Sequence, residues 1–225
     1  MTSVYQSLLG SDFERLHPNL QWRYGIDAAQ NLSQVTDGML ESVYVNPMMT
    51  SPFVKFMARR SAMTNKSSRL VPFTMNNYFY VDELGRECMA TLRNFNYSSG
   101  TQKLNSVQVV GAEGLVDYFG DGPTVLFPIT LRVTPGGAIT FDSGPMRFLL
   151  KGPKWSPRSI AAVRLEYIEK WDEENNRFHC DGRISNAVMG EMYRYRGWFA
   201  ARDEPCTIDQ VPDEAWPYRL VEREN

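Results

Sequence analysis

The chain has 225 residues, a formal net charge of −2 at pH 7 and a 43% hydrophobic composition. That length allows one full hydrophobic core, and the near balance of 24 basic against 26 acidic residues excludes the global field that recruits nucleic acid or anionic lipid. Cys88, Cys180 and Cys206 show no CxxC spacing, Met1 leads into a polar, helix-like segment, and no stretch reaches the roughly 20 apolar residues that span a bilayer, so the expected setting is a reducing cytoplasm.

Val4, Tyr5, Leu8 and Leu9 fall at helical spacing, with Gly10 as the stop. Ser11-Asp12-Phe13-Glu14 reads as a capping box, in which the Ser11 hydroxyl and the Glu14 carboxylate each satisfy a backbone amide. His17-Pro18 interrupts, and a short helical turn over 19–24 ends at Gly25. These helices are expected to cover one end of a sheet.

Residues 34–45 form the first strand, with Val35, Asp37, Met39, Glu41, Val43 and Val45 expected on one face. Ser51-Pro52 starts a helix whose stripe is Phe53, Phe56, Met57 and Arg60, and residues 55–69 are the most basic stretch of the chain. The strongest signal follows. Residues 73–81 and 86–95 alternate in character on either side of the turn Asp82-Glu83-Leu84-Gly85, and a side-chain period of two means pleated strands. Further strands are read at 103–110, 115–119, 125–133, 138–141, 146–150, 161–171, 177–185 and 192–201, with a loop or helix entry at 151–160. The expected fold is mainly β: an antiparallel, calycin-like barrel or strongly curved sheet of about nine or ten strands, since closure removes exposed edges. Residues 1–203 form the single domain, and 204–225 a surface tail with Trp216 and Tyr218 as anchors.

No motif announces chemistry. The two histidines lack metal-ligand spacing, no GxSxG elbow or GxGxxG loop is present, and neither a cofactor nor a metal is expected. The strand Tyr193 to Phe199 carries Tyr193 and Tyr195 on one face and Arg194, Arg196 and Trp198 on the other. If the arginine face is interior, it requires an anionic partner; if the tyrosine face is interior, the arginines are solvated. In the first hairpin, Glu87, Met89, Thr91, Arg93 and Phe95 share a face, and Glu87 and Arg93 are placed in a polar network with Tyr78 or Tyr80. A carboxylate in an apolar barrel has a raised pKa and exchanges protons near neutrality. Glu166 and Glu169 lie on opposite faces, so at most one points inward. Eleven methionines suit a roomy apolar cavity.

The candidate catalytic residues are therefore Glu87, Arg93, Tyr195 and Arg196, and the candidate ligand-binding residues Tyr78, Tyr80, Met89, Phe95, Tyr193 and Trp198. The expected activity is a cofactor-free isomerase or cyclase acting on an apolar metabolite. The alternatives are a carrier for such a metabolite or a lipid, with peripheral membrane contact at most, and an interaction module. No nucleic-acid partner is expected.

Ser3 to Gly10, Asp12 to Pro18, Gly85-Arg86-Glu87 with Arg93 and Phe95, and Tyr195-Arg196-Gly197 resemble, in that order, an uncharacterised bacterial domain-of-unknown-function family. That family occurs alone or fused to reductases similar to saccharopine dehydrogenase. The resemblance spans roughly residues 3 to 203 and brings no assigned catalytic residues. It implies a role in small-molecule metabolism beside an NADP-dependent reductase partner.

Overall fold

A computed structural model describes residues 2–49, 52–111, 114–121, 125–148 and 162–216. Two short helices come first, α1 (Val4–Leu9) and α2 (Pro18–Tyr24), separated by a 3-10 turn. Strand β1 (Leu32–Val45) leads to helix α3 (Pro52–Arg59). Ten strands follow: β2 (Ser68–Val81), β3 (Glu87–Tyr97), β4 (Gly100–Gly111), β5 (Gly114–Phe119), β6 (Val125–Val133), β7 (Ile139–Ser143), β8 (Arg147–Phe148), β9 (Val163–Asp172), β10 (Arg177–Asn186) and β11 (Gly190–Pro205).

Each strand pairs antiparallel with its successor, except that β7 passes over β8 to β9. β11 returns to pair with β1, and β5 with β6, so ten strands close a ring and β8 sits beside β6. Local hairpins supply nearly every pairing, and closure leaves the ring without a free edge. The expected barrel, its strand count and the N-terminal helices across one end are all present. Within β1 the inward face changes at a bulge between Leu40 and Ser42. The extra residue lets Leu40 and Val43 both point inward, which corrects the uninterrupted alternation expected for this strand.

The helices occupy opposite ends. α1 and α2 close the end that carries the β6–β7 and β9–β10 turns: the His17 amide donates to the Gly137 carbonyl at 3.0 Å, and the His17 ring stacks on Trp171. The capping box belongs to α1, on Ser3 and Gln6, and the turn at Gly10–Arg15 has no side-chain cap. α3 covers the other end, and the segment after it is tied down by the Asn105 amide on the Ser61 carbonyl at 2.8 Å. Its buried side chains are Val54 and Met57, whereas Phe56 is exposed; Ser51 and the side chain of Phe53 lie outside the described residues. No helix among the described residues is long and apolar enough to cross a membrane.

Among the described residues there are two apolar clusters. The larger fills the barrel and the undersides of the helices. The smaller lies on the outer face of β2–β6, where Tyr80, Cys88, Val109, Val116 and Leu126 are covered by Cys206, Val211, Ala215 and Trp216. The Tyr80 hydroxyl donates to the Ala215 carbonyl at 2.6 Å, and Trp216 packs on the Tyr80 ring. Trp216 is thus the expected anchor; Tyr218 and residues 151–160 lie outside the described residues.

Candidate functional site

Between the two helical caps the barrel encloses a cavity of about 130 Å³. Seven methionines line it, Met49, Met57, Met63, Met75, Met89, Met146 and Met192, together with Phe119, Phe127 and Phe141. Inward alternation delivers Met75 and Met89, a register shift at the start of β11 delivers Met192, and Met49, Met57, Met63 and Met146 come from α3 and the connecting segments; the unbranched thioethers fill irregular space. The Arg183–Glu166 ion pair lines the cavity where it reaches the surface.

Polar groups enter this wall at few points. Asp117 sits on β5 between inward-facing Leu115 and Phe119, opposite Gln108 in the β4 register. The Gln108 amide nitrogen donates to Oδ2 of Asp117 at 2.7 Å, and the Gln108 side-chain oxygen accepts from the Tyr5 hydroxyl of α1. Those two bonds fix the orientation of the Gln108 amide. Asp117 Oδ1 has no hydrogen-bond partner among the described residues. Burial pushes the Asp117 carboxyl up to about 6, against the opposing pull of Gln108, Arg93 and Ser106. A carboxyl in that range holds and releases a proton near neutral pH.

Arg93 reaches the cavity from β3. Its guanidinium donates to the Ser106 hydroxyl at 3.3 Å and the Leu104 carbonyl at 3.4 Å, and among the described residues it makes no ion pair. Thr91, two residues earlier on the same face, is 1% exposed, and its hydroxyl has no hydrogen-bond partner among the described residues. Asn77 Oδ1, across the β2–β3 pair from Thr91, is in the same condition. An unsatisfied buried polar atom costs about 1–3 kcal/mol, so this stretch of wall is built to meet something polar.

A second polar group is self-contained. Arg23 of α2 enters the barrel and pairs with Glu169 of β9 at 2.6 Å, both essentially buried. The Tyr167 hydroxyl donates to the other Glu169 oxygen at 2.6 Å, and the Arg23 guanidinium lies over the Phe199 ring at 4.7 Å. Burial opposes the Arg23 charge and Glu169 outweighs it, holding the guanidinium more firmly protonated than usual. This cluster pins α2 into the barrel mouth. Of the two glutamates with opposite parity, Glu169 is buried inside the barrel, whereas Glu166 is partly exposed and reaches only the edge of the cavity, paired with Arg183.

The candidate residues read from the sequence divide. Arg93, Met89, Tyr193 and Tyr195 line the cavity. The Tyr195 ring lies over Gly182 of β10, its register partner, and burial raises the pKa of both Tyr193 and Tyr195. Phe95 is also buried inside the barrel but does not line the cavity, and packs on Phe73 and Tyr195. Glu87 is displaced from its expected role: it stands at the closed rim and accepts from the Ala28 amide at 2.5 Å, outside the cavity wall. Burial raises its pKa, yet nothing brings it near Arg93. Arg196 and Trp198 face outward, because the parity that turns Tyr193 and Tyr195 in turns them out; Arg196 is exposed, and Trp198 carries Arg177 over its ring at 4.5 Å. Tyr78 and Tyr80 belong to the outer cluster beneath the C-terminal segment. The expected network of Glu87, Arg93, Tyr78 and Tyr80 therefore does not form.

Sequence reading missed Asp117, Gln108 and Tyr5. The signal for Asp117 was present: in Leu115-Val-Asp-Tyr-Phe119 the aspartate shares its face with two large apolar side chains. Among the described residues no three His, Cys, Asp or Glu side chains converge as a metal site.

A family model described as a domain of unknown function (DUF4166) matches residues 16–199. The chain is also similar to the uncharacterised protein YndH of Bacillus subtilis (strain 168), at 22% identity over 206 residues, covering 88% of this chain and 97% of the relative. No solved structure matches the chain significantly.

Proposed function

The chain belongs to the domain of unknown function family DUF4166, and within that family we propose that it is a cofactor-free small-molecule enzyme of the isomerase or cyclase type, working in the barrel cavity. The observation that carries this reading is Asp117: a buried carboxyl on the cavity wall, pushed up to about 6, with one oxygen held by Gln108 and the other making no close hydrogen bond among the described residues. In this role Asp117 takes the place that the sequence suggested for Glu87. Its carboxylate removes a proton from carbon, the electron pair moves into the adjoining unsaturated system, and the proton returns to another atom of the same molecule. The substrate's composition is unchanged, so no co-reactant is needed. Arg93 stabilises the negative charge that develops in between.

A carrier for an apolar metabolite is the second reading, favoured by the methionine-rich wall. A pure docking module needs no interior void, so the cavity of about 130 Å³ supports the other two. It also argues for a compact ligand over a long lipid, since an engineered cavity of about 150 Å³ holds a benzene-sized molecule. A reductase partner, if the family association extends to this chain, would supply or consume that molecule.

The test begins with native mass spectrometry of freshly purified protein to identify a retained molecule. That molecule is then incubated in D2O with wild-type protein and with Asp117→Asn. Enzymatic proton transfer predicts deuterium incorporation by the wild type and none by the variant, with binding preserved in both. Binding without incorporation by either protein supports the carrier and overturns the enzyme.

A further inference from the structure

We propose that the cavity takes a compact organic monoanion, its carboxylate held by the Arg93 guanidinium and the Thr91 hydroxyl and its apolar body seated among the methionines, facing Asp117. The inference rests on the reading that the cavity is a small-molecule site, and it names the class of molecule.

Three observations lead there independently of any reaction. First, Arg93 brings a permanent positive charge to the cavity wall, with two long hydrogen bonds and no ion pair among the described residues. The other arginines that line the cavity, Arg23 and Arg183, have their carboxylates within the fold, in Glu169 and Glu166. A guanidinium left without one is a fork suited to a bidentate oxyanion. Second, Thr91 neighbours Arg93 on the inward face of β3, fully buried, with a hydroxyl that finds no partner among the described residues. Two donors two residues apart on one strand face converge on the same side of the cavity. Third, the other arginines on the wall, Arg23 and Arg183, are already paired with Glu169 and Glu166, and most of the remaining wall is thioether, aromatic and aliphatic carbon, which accepts an aromatic or unsaturated body and leaves no unpaired cation among the described residues for a second anion. One charge and a small apolar frame therefore fit; a dianion or a sugar does not.

Binding such an anion also couples to protons. Asp117 faces the same cavity, and a second negative charge beside it favours its protonated form. Association at pH 7 is thus accompanied by proton uptake, and affinity falls as pH rises while the ligand stays ionised.

The probes are benzoate, phenylacetate and trans-cinnamate, each against its neutral primary amide, measured by titration calorimetry on the full chain at pH 7 in two buffers of different ionisation enthalpy. At least one acid is expected to bind about tenfold or more tightly than its amide, as a charge-assisted pair requires, with buffer-dependent heat that reports proton uptake. Arg93→Met is expected to remove the preference for acid while leaving amide binding in place. Thr91→Val should weaken the acid several-fold, and Arg93→Lys should keep part of the preference, which guards against a fold defect in the methionine variant. Asp117→Asn should bind the acid at least as tightly as the wild type and without proton uptake.

Amides that bind as well as the acids, a preference that survives Arg93→Met, or no binding by any of the probes overturns the proposal. These are equilibrium readouts. A protein that prefers the acid yet exchanges no deuterium retains the anion site and loses the enzyme, whereas one that exchanges deuterium into a neutral retained molecule does the reverse.

Discussion

The side-chain amide of Gln108 donates to Oδ2 of Asp117 across 2.7 Å, between register partners on adjacent strands inside the barrel. Because the Gln108 oxygen is occupied by Tyr5 of the N-terminal helix, the helical cap and the buried carboxyl are parts of one hydrogen-bonded chain. The position of α1 thus bears directly on the environment of the acid that the cavity presents.

Asp117 makes stability depend on pH. An aspartate in an unfolded chain titrates near 4, whereas Asp117 in the fold titrates at about 6 because it is buried. Its stabilising contribution is complete below the unfolded value and is lost as pH rises through about 6, a swing of about 3 kcal/mol for two units. Asp117→Asn is therefore expected to be at least as stable as the wild type at pH 8, with that advantage shrinking toward pH 4.5. Urea denaturation across this range measures it, and parallel profiles for the two proteins would remove Asp117 from the account.

The Arg23–Glu169 pair predicts strong non-additivity. Arg23→Met or Glu169→Leu alone strands a buried charge and is expected to cost about 3–5 kcal/mol, while the double substitution recovers most of that loss. A double-mutant cycle by chemical denaturation gives the coupling. Costs that simply add would mean that the two groups are not paired in solution.

Gly182 is the seat of the Tyr195 ring. A Cβ there would stand 2.6 Å from the ring, and Tyr195 must move to admit it. Gly182→Ala is expected to cost about 1–3 kcal/mol, the usual range for overpacking, and to weaken binding of any cavity ligand. Melting curves and ligand titration on the same sample check both effects.

On the outer wall, Trp216 and Tyr80 have ring centroids 4.2 Å apart. Trp216→Ala is expected to cost about 2 kcal/mol from lost apolar burial and to speed the reaction of buried Cys88 with a thiol reagent. Arg196→Ala, on the exposed face of β11, should stay within about 0.5 kcal/mol of the wild type. A larger loss at Arg196 would contradict its outward placement.

Much of the architecture follows from local pattern. The strand at 73–81, the turn at Asp82–Gly85 and the return at 86–95 are written in period-two alternation and turn chemistry, which act over a few residues. In the structure, Asp82 Oδ1 accepts from the Leu84 and Arg86 amides, and Gly85 has a φ of 75°. The same parity rule separates Glu166 from Glu169 and Tyr195 from Arg196 without saying which of each pair is inside.

Which face is interior was decided by tertiary structure. On β2 to β6 both faces are apolar, because residues 206–216 return from the far end of the chain to cover Tyr80, Val109 and Leu126 on the outside. Contrast between faces, the only signal alternation carries, is lost there, and Tyr78 and Tyr80 read as cavity residues. The bulge after Leu40 inverts parity within a single strand. Glu87 and Arg93 share a face in sequence and in space, but the 3-10 turn at Ala28–Gln30 comes across the rim to take the Glu87 carboxylate. Pattern along the chain determined the strands and the hairpins between neighbours, since each depends on residues a few positions away, whereas the β1–β11 pairing that closes the barrel joins the two ends of the domain. The placement of charge around the cavity was settled by contacts between distant segments, which periodicity does not encode.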